Sequence, residues 1–272
     1  MKRHRTIFAG LIVGHLLAFA QLAVAPAEAQ QAADPRVADL ARAGKIRVGL
    51  FLPQYIKDPV TGQLRSVWVE NARAFAARVG VQLVIVEHAT PPEAIACLKA
   101  SACDLLFLPL DARAASVGDF SNPIFQFDYT LLTPDGSPIL SVADADRSGV
   151  RIAVVRNHAS TNELIRQLKH AELVYAETPD STFDLLRTGQ AGVMASTRLA
   201  LLDFSDRLPG ARVLEDRYGA NINRMVVPKG QAGWLSYLNE FVEDAKASGL
   251  VQKAIERGGT RGVTVAPSGN QN

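Results

Sequence analysis

The sequence predicts an α/β fold of two lobes, each built on a βαβαβ run and joined to the other by two strands. Three observations carry this. Short β-branched or leucine-rich segments alternate with stretches of helical apolar spacing, the alternation occurs twice, and two extended segments lie where the chain passes between the runs. Alternating strands and helices imply parallel sheets with right-handed crossovers.

The chain opens on a segment of a different kind. Lys2, Arg3 and Arg5 precede a mostly apolar stretch from Ile7 to Val24 that ends in Ala27-Glu28-Ala29. This is the pattern of a secretory signal peptide, so residues 1–29 are expected to be removed before Gln30. The alternative is an uncleaved membrane anchor, but Gly10, Gly14 and His15 interrupt the apolar run. The mature protein is expected outside the cytoplasm. Of 29 basic and 27 acidic residues the leader takes Lys2, Arg3, Arg5 and Glu28, which leaves 26 of each. A neutral mature chain lacks the positive surface of a nucleic-acid binder, so no nucleic-acid partner is expected. The roughly 240 residues that remain suffice for two lobes of about 100 each.

Within the first lobe, Pro35 to Ala43 reads as a short helix and Lys45 to Leu50 as the first strand. Asp58-Pro59-Val60-Thr61-Gly62 is turn chemistry. A helix is expected from Val69 to Val79, a strand from Val81 to Val86, and a helix opening at Thr90-Pro91-Pro92-Glu93, where Thr90 and Glu93 fit a capping box. Asp104 to Leu108 has the composition of a buried strand. The second lobe repeats the pattern: strand Val150–Val155, helix Ser160–Leu168, strand Leu173–Ala176, helix Ser181–Thr188, strand Val193–Ala195 and helix Arg198–Phe204.

Phe127 to Leu132 and Asn223 to Val227 are the two connecting strands, and Phe127 and Tyr129 are expected to pack the hinge. The amphipathic stretches Trp234–Ala245 and Leu250–Arg257 need a surface to cover, and the simplest topology returns them to the first lobe. The first lobe then comprises residues 38–130 and 226–260, the second residues 131–225, and residues 261–272 form a disordered tail rich in Gly, Pro, Ser and Asn.

Cys97 and Cys103 are the only cysteines. An exported chain permits a disulfide between them if the intervening turn brings the Cα atoms within about 7 Å, and two buried thiols are the alternative. With His88, His158 and His170 dispersed along the mature chain, no metal site and no cofactor are expected. The sequence has no nucleophile elbow, zinc-protease helix, phosphate loop or dinucleotide fingerprint.

Several runs, in order, resemble the periplasmic solute-binding proteins of bacterial ABC transporters, in the branch that binds polar amino acids. They are Gly44 to Gly49, Thr61 to Leu64, Ala72 to Leu83, Asp104 to Leu106 with Asp119-Phe120-Ser121, Gly149 to Val154, and Asp184 to Gly189. The resemblance implies a type II two-lobed periplasmic-binding-protein-like fold. It also implies a monomeric receptor that closes on a small carboxylate or amino acid and presents it to an inner-membrane ABC permease. An arginine clamping the ligand carboxylate falls at Arg113, whose other reading is a solvated residue paired to Asp111.

The helix-start anchor of the resemblance falls on Asn157-His158-Ala159-Ser160-Thr161, where Ser160 or Thr161 serves equally as a plain cap and His158 as a plain loop residue. The acidic residue expected to hold a ligand ammonium is replaced by Ser196-Thr197-Arg198, with Thr197 at the site and Asp111 as a substitute partner. Phe51 and Tyr55 are the aromatic candidates for stacking, and Tyr55 is assigned to the site. Trp68 is expected in the core or on the lobe surface. An enzyme of the same fold, of the cyclohexadienyl dehydratase type, with Asp111 or His158 as acid or base, is the alternative, as is a sensory module acting on a separate receptor.

Overall fold

The computed structural model describes residues 34–110 and 112–269, with the backbone alone for residues 112–114. The leader at residues 1–29, Asp111 and residues 270–272 lie outside the described residues.

A 3-10 turn (Pro35–Val37) leads into α1 (Ala38–Ala43) and β1 (Lys45–Phe51). A small hairpin, β2 (Ile56–Lys57) and β3 (Leu64–Arg65), precedes α2 (Val67–Val79), β4 (Gln82–His88), α3 (Pro91–Lys99), β5 (Leu105–Leu108) and α4 (Ala112–Val117). The long β6 (Gly118–Thr133) carries the chain out to α5 (Val142–Ala145), β7 (Arg151–Val155), α6 (Ala159–Gln167), β8 (Glu172–Ala176), α7 (Pro179–Arg187), β9 (Val193–Thr197) and α8 (Arg198–Ser205). After β10 (Arg212–Val213), β11 (Gly219–Pro228) brings it back to α9 (Ala232–Ala247), α10 (Leu250–Gly258) and β12 (Val263–Val265). None of the described helices is long and apolar enough to cross a membrane.

β1 pairs in parallel with β4 and β5, and β7 in parallel with β8 and β9. Between the two parallel triplets lie β11 and β6, antiparallel to each other and to β5 and β9 respectively, giving the order β4-β1-β5-β11-β6-β9-β7-β8. Alternate residues of a strand share a face. Along one face of β6, Phe125 and Phe127 enter the first core with Leu50, Phe75 and Phe107, while Tyr129 and Leu131 enter the second with Ile152, Val154 and Leu164. The change of core falls between Phe127 and Tyr129, so this single strand ties two separately packed lobes.

The C-terminal helices cover the first lobe: Tyr237, Leu238 and Phe241 of α9 and Val251 and Ile255 of α10 belong to its core. Ser66 caps α2 by accepting from the Val69 amide at 3.2 Å, and Gly80 ends it in the left-handed conformation. α10 ends against the start of α2 through Gly258, where a Cβ would lie 2.4 Å from the Val67 nitrogen.

Two local expectations are corrected. The tail from residue 261 is ordered as far as it is described: Val263 to Val265 add a strand to Phe127–Phe125 of β6, because Val263 fills the edge of the first core. Arg261 on the same segment reaches Asp206, which follows α8, at 2.5 Å, and this makes a further tie between the lobes. At α3 the Thr90 side chain makes no capping bond, although Glu93 does reach back, accepting from the Ala89 amide at 3.0 Å. With Pro91 and Pro92 in the first turn, few amide donors remain there for Thr90 to cap.

Cys97 and Cys103 form a disulfide, with Cα atoms 5.3 Å apart. The helix end folds back through Ser101 at φ 55°, and the Ala102 and Cys103 amides both donate to the Cys97 carbonyl.

The close approach at Gly258 supplies a test of how α10 docks. Gly258→Ala is expected to lower stability by about 1–3 kcal/mol, as overpacking does when the obstructing atoms are backbone. Urea unfolding of the variant beside the parent measures it, and an unchanged midpoint contradicts the contact.

Candidate functional site

A cavity of about 280 Å³ opens where the two lobes and the crossing strands meet. The first lobe contributes Phe51, Pro53, Gln54, Trp68 and Pro109, the crossing strands Phe127, Asn221 and Asn223, and the second lobe His158, Thr197 and Leu199. A larger groove of about 450 Å³ runs between α2 and α10. It draws on one lobe only, and its Arg73 is already paired with Glu70. The smaller cavity is the candidate site because it lies at the C-terminal ends of the parallel strands and takes walls from both lobes, where ligand sites of this size collect.

The first-lobe wall is aromatic and fixed. Trp68 is buried, stacks on Phe127 at 5.2 Å between centroids, meets Phe125 edge-on, and donates from its indole nitrogen to Asn223 Oδ1 at 3.1 Å. Asn223 in turn donates to Asn221 Oδ1 at 3.1 Å. The β6–β11 pairing is irregular on either side of Arg224, immediately after Asn223. A local insertion of this kind turns side chains relative to a regular ladder, and here it sits beside the asparagine that meets Trp68. The Gln54 amide donates to the Phe107 carbonyl at 2.7 Å and accepts from the Phe51 amide at 3.3 Å, so both its polar ends serve the wall.

The second-lobe wall consists of two helix starts. Asn157 takes φ 59°, a left-handed conformation that asparagine tolerates, and turns the chain so that His158 becomes the N-cap of α6. His158 Nδ1 accepts from the Ser160 amide at 3.3 Å and lies 2.7 Å from Ser160 Oγ. With Nδ1 accepting, the ring proton resides on Nε2. Burial holds the His158 pKa below its ordinary value, so the imidazole is neutral at neutral pH. Thr197 caps α8, its hydroxyl accepting from the Ala200 amide at 3.3 Å.

Of the residues expected at the site, His158 and Thr197 line the cavity. Ser160 is buried behind His158, and Asn157 and Ala159 are exposed beside it. Thr161 is buried too, donating to the Val155 carbonyl at 2.8 Å. Tyr55 lies off the cavity, half-buried against the first core, its phenol pushed up by burial first and the Glu87 carboxylate second. Asp111 and the side chain of Arg113 lie outside the described residues, with Arg113 in the first turn of α4 just beyond Pro109.

Trp68, expected in the core or on the lobe surface, and Phe127, assigned to the hinge, do both jobs at once: they are buried and they line the cavity. Gln54, Asn221 and Asn223 carry no sequence signal of a site, since isolated amides in strands and turns are common on any surface.

Next to the cavity, Asp128 of β6 is buried and pairs with Arg217 at 2.9 Å, with Arg198 3.8 Å away. Arg198 donates to the Leu214 and Glu215 carbonyls, both at 2.8 Å. The arginine that follows Thr197 therefore anchors the return connection rather than facing the cavity.

Two packed lobes, a pair of crossing strands and a small shared cavity define a two-lobed binding protein. The model of the bacterial extracellular solute-binding proteins, family 3, matches residues 52–257, and the chain belongs to that family. Its members work outside the cytoplasm. Comparison with curated proteins gave no match.

Among solved structures the chain is similar to an ancestral cationic amino acid solute-binding protein, at 21% identity over 81% of this chain and 97% of that one, TM-score 0.64. It is similar also to a binding component of an ABC transporter from Wolinella succinogenes complexed with lysine, at 22% identity over 79% and 95%, TM-score 0.61. An ancestral cyclohexadienyl dehydratase matches at 24% identity over 81% and 95%, TM-score 0.59. Likeness at these identities establishes the two-lobed fold, which serves both receptors and an enzyme.

The capping role of His158 predicts a pH dependence. Its folded pKa lies below the unfolded value of about 6.5, so its contribution is complete above that pH and is lost as pH falls toward the folded pKa. Urea midpoints measured from pH 7.5 down to 5 are expected to fall. His158→Asn, which retains a capping side chain without the titration, is expected to flatten that part of the profile. Identical profiles contradict the assignment.

Proposed function

We propose that the protein is a monomeric periplasmic receptor that closes its lobes on a small carboxylate or amino-acid-like ligand and delivers it to an inner-membrane ABC permease. The observation that carries the reading is the cavity lined from both lobes and from the strands between them. Closure about Tyr129 to Leu132 and Asn223 to Val227 moves residues 38–130 with 226–260 against residues 131–225. Cleavage before Gln30 releases the receptor from its leader.

Arg113 is proposed to clamp the ligand carboxylate, since its planar fork makes two parallel bonds to such a group. The first turn of α6, with the His158 Nε2–H beside it, is the second anion-favouring anchor. Asp111 is the one proposed acceptor for a ligand ammonium. Tyr55 has no place in the proposed contact set.

A second reading rests on His158, a neutral imidazole in a cavity of a fold that also supports a dehydratase. An enzyme would consume its ligand, and a receptor returns it intact.

Thermal-shift screening of the mature protein against amino acids, their deaminated analogues and dicarboxylates tests the proposal. A ligand at a hundredfold excess over its Kd adds about 2.7 kcal/mol of stability. Arg113→Ala is expected to weaken a carboxylate hit by about 2–5 kcal/mol, and Arg113→Lys to recover only part, with both variants folded. Unchanged affinity in the alanine variant removes Arg113 from the site. Loss of the hit over time, with a new product, replaces receptor by enzyme.

A further inference from the structure

We propose that the disulfide and His88 together form a masked metal site: reduction of Cys97–Cys103 by a dithiol unmasks a Cys-Cys-His set for a zinc-like, thiophilic divalent cation. The three residues are dispersed in sequence but come together at the first lobe's edge. His88 ends β4, Cys103 precedes β5 and Cys97 lies in α3. His88 Nε2 lies 3.7 Å from Cys103 Sγ, and the donor atoms of all three residues lie within 4.8 Å of one another.

The spacing suits a metal. Zinc bonds of about 2.3 Å to sulfur and 2.0–2.1 Å to nitrogen, at tetrahedral angles, set a sulfur and a nitrogen ligand about 3.6 Å apart and two sulfurs about 3.8 Å apart. The imidazole already stands at the first separation from Cys103. The second needs only the S–S bond broken and the two side chains rotated apart. Both sulfurs are buried, whereas His88 is half-buried and gives a cation its way in.

Gly49 makes the approach possible. A Cβ there would lie 3.0 Å from Cys103 Sγ, 3.6 Å from the His88 ring and 2.6 Å from Leu106. A side chain on β1 at this point would press into the cluster.

The chemistry balances in two steps. The dithiol transfers two electrons and two protons to the S–S bond, leaving two cysteine thiols and becoming a cyclic disulfide itself. The cation then displaces both thiol protons to solvent and binds two thiolates and neutral His88, with water completing the tetrahedron. While oxidised, the cysteines have no thiolate to offer, so metal capture is conditional on reduction. Soft thiolates favour zinc-class cations over magnesium or calcium.

The test uses the full mature chain, reduced by a phosphine that is then removed without oxygen, and titrated with cadmium followed by zinc competition. One cation per chain is expected, with a cadmium–thiolate charge-transfer band that zinc abolishes, and no band in the oxidised protein. His88→Ala leaves the disulfide intact and is expected to weaken cadmium binding to the reduced protein at least about tenfold, a loss no smaller than removing a metal's outer-layer partner causes. Uptake equal in oxidised and reduced protein, or equal affinity in His88→Ala, overturns the proposal. So does reduced protein that takes up no cation, whether it stays folded or not by circular dichroism.

Discussion

β6 and β11 are the only described strands that belong to both lobes, and their antiparallel pairing fixes where everything else lies. From Gly219 opposite Tyr129 to Pro228 opposite Gly118, the pair crosses from the second core to the first. A strand is a poor place for a free hinge when its ladder is regular, because each residue is held by a neighbour on at least one side. Here the ladder shifts at Asn223 and again before Val226. The irregular stretch begins at Asn223, which also lines the cavity, so the break in the ladder and the proposed ligand contact meet at that residue.

The ion pairs near the crossing act in the opposite sense. Asp128 on β6 gathers Arg217 and Arg198, and Arg198 also holds two carbonyls of the return connection. A buried carboxylate with two guanidiniums nearby is costly to leave alone, so this group resists separation of β6 from the start of α8. Arg261 to Asp206 adds a solvent-exposed tie that salt weakens. The lobes are thus joined by a group centred on the buried Asp128 carboxylate and by a solvent-exposed link through the C-terminal strand.

How much of this was legible follows from which signals are local. The doubled alternation of strand and helix is written in composition and spacing, and the fold follows from it. β12 was hidden because Val263-Thr264-Val265 is a short alternating run among glycines and prolines, and only the exposed edge of β6 beside the core gives it a partner. His158 and Thr197 were assigned from the resemblance, the first at its helix-start anchor and the second where its acidic residue is replaced, and both line the cavity. Trp68, Asn221 and Asn223 were not, since α2 and β11 lie far apart in sequence and only the tertiary packing brings the indole to Asn223, which no local pattern encodes. The same limit applies to His88 and the cysteines: their spacing in sequence argues against a cluster, and only the parallel register of β1 with β4 and β5 brings them together.

The two walls of the cavity divide the work of recognition unequally. On the first-lobe side the polar atoms are used internally, by Gln54 on the backbone and by Asn223 on Trp68, so that wall presents mainly aromatic and apolar surface. On the second-lobe side the hydroxyls of Ser160 and Thr161 are also committed, to His158 and to the Val155 carbonyl. What that wall is proposed to offer a ligand is the Nε2–H of His158 and the Thr197 hydroxyl, which already accepts from the Ala200 amide and so is left to donate. A ligand recognised there must bring acceptors, and an oxyanion is the acceptor that a helix start favours most. In the proposed closure the remainder of the ligand is pressed onto the Trp68 and Phe127 side, where burial of apolar area would supply the drive to close and the donors the orientation. The selectivity of the proposed receptor therefore rests on the second lobe and its affinity on the first.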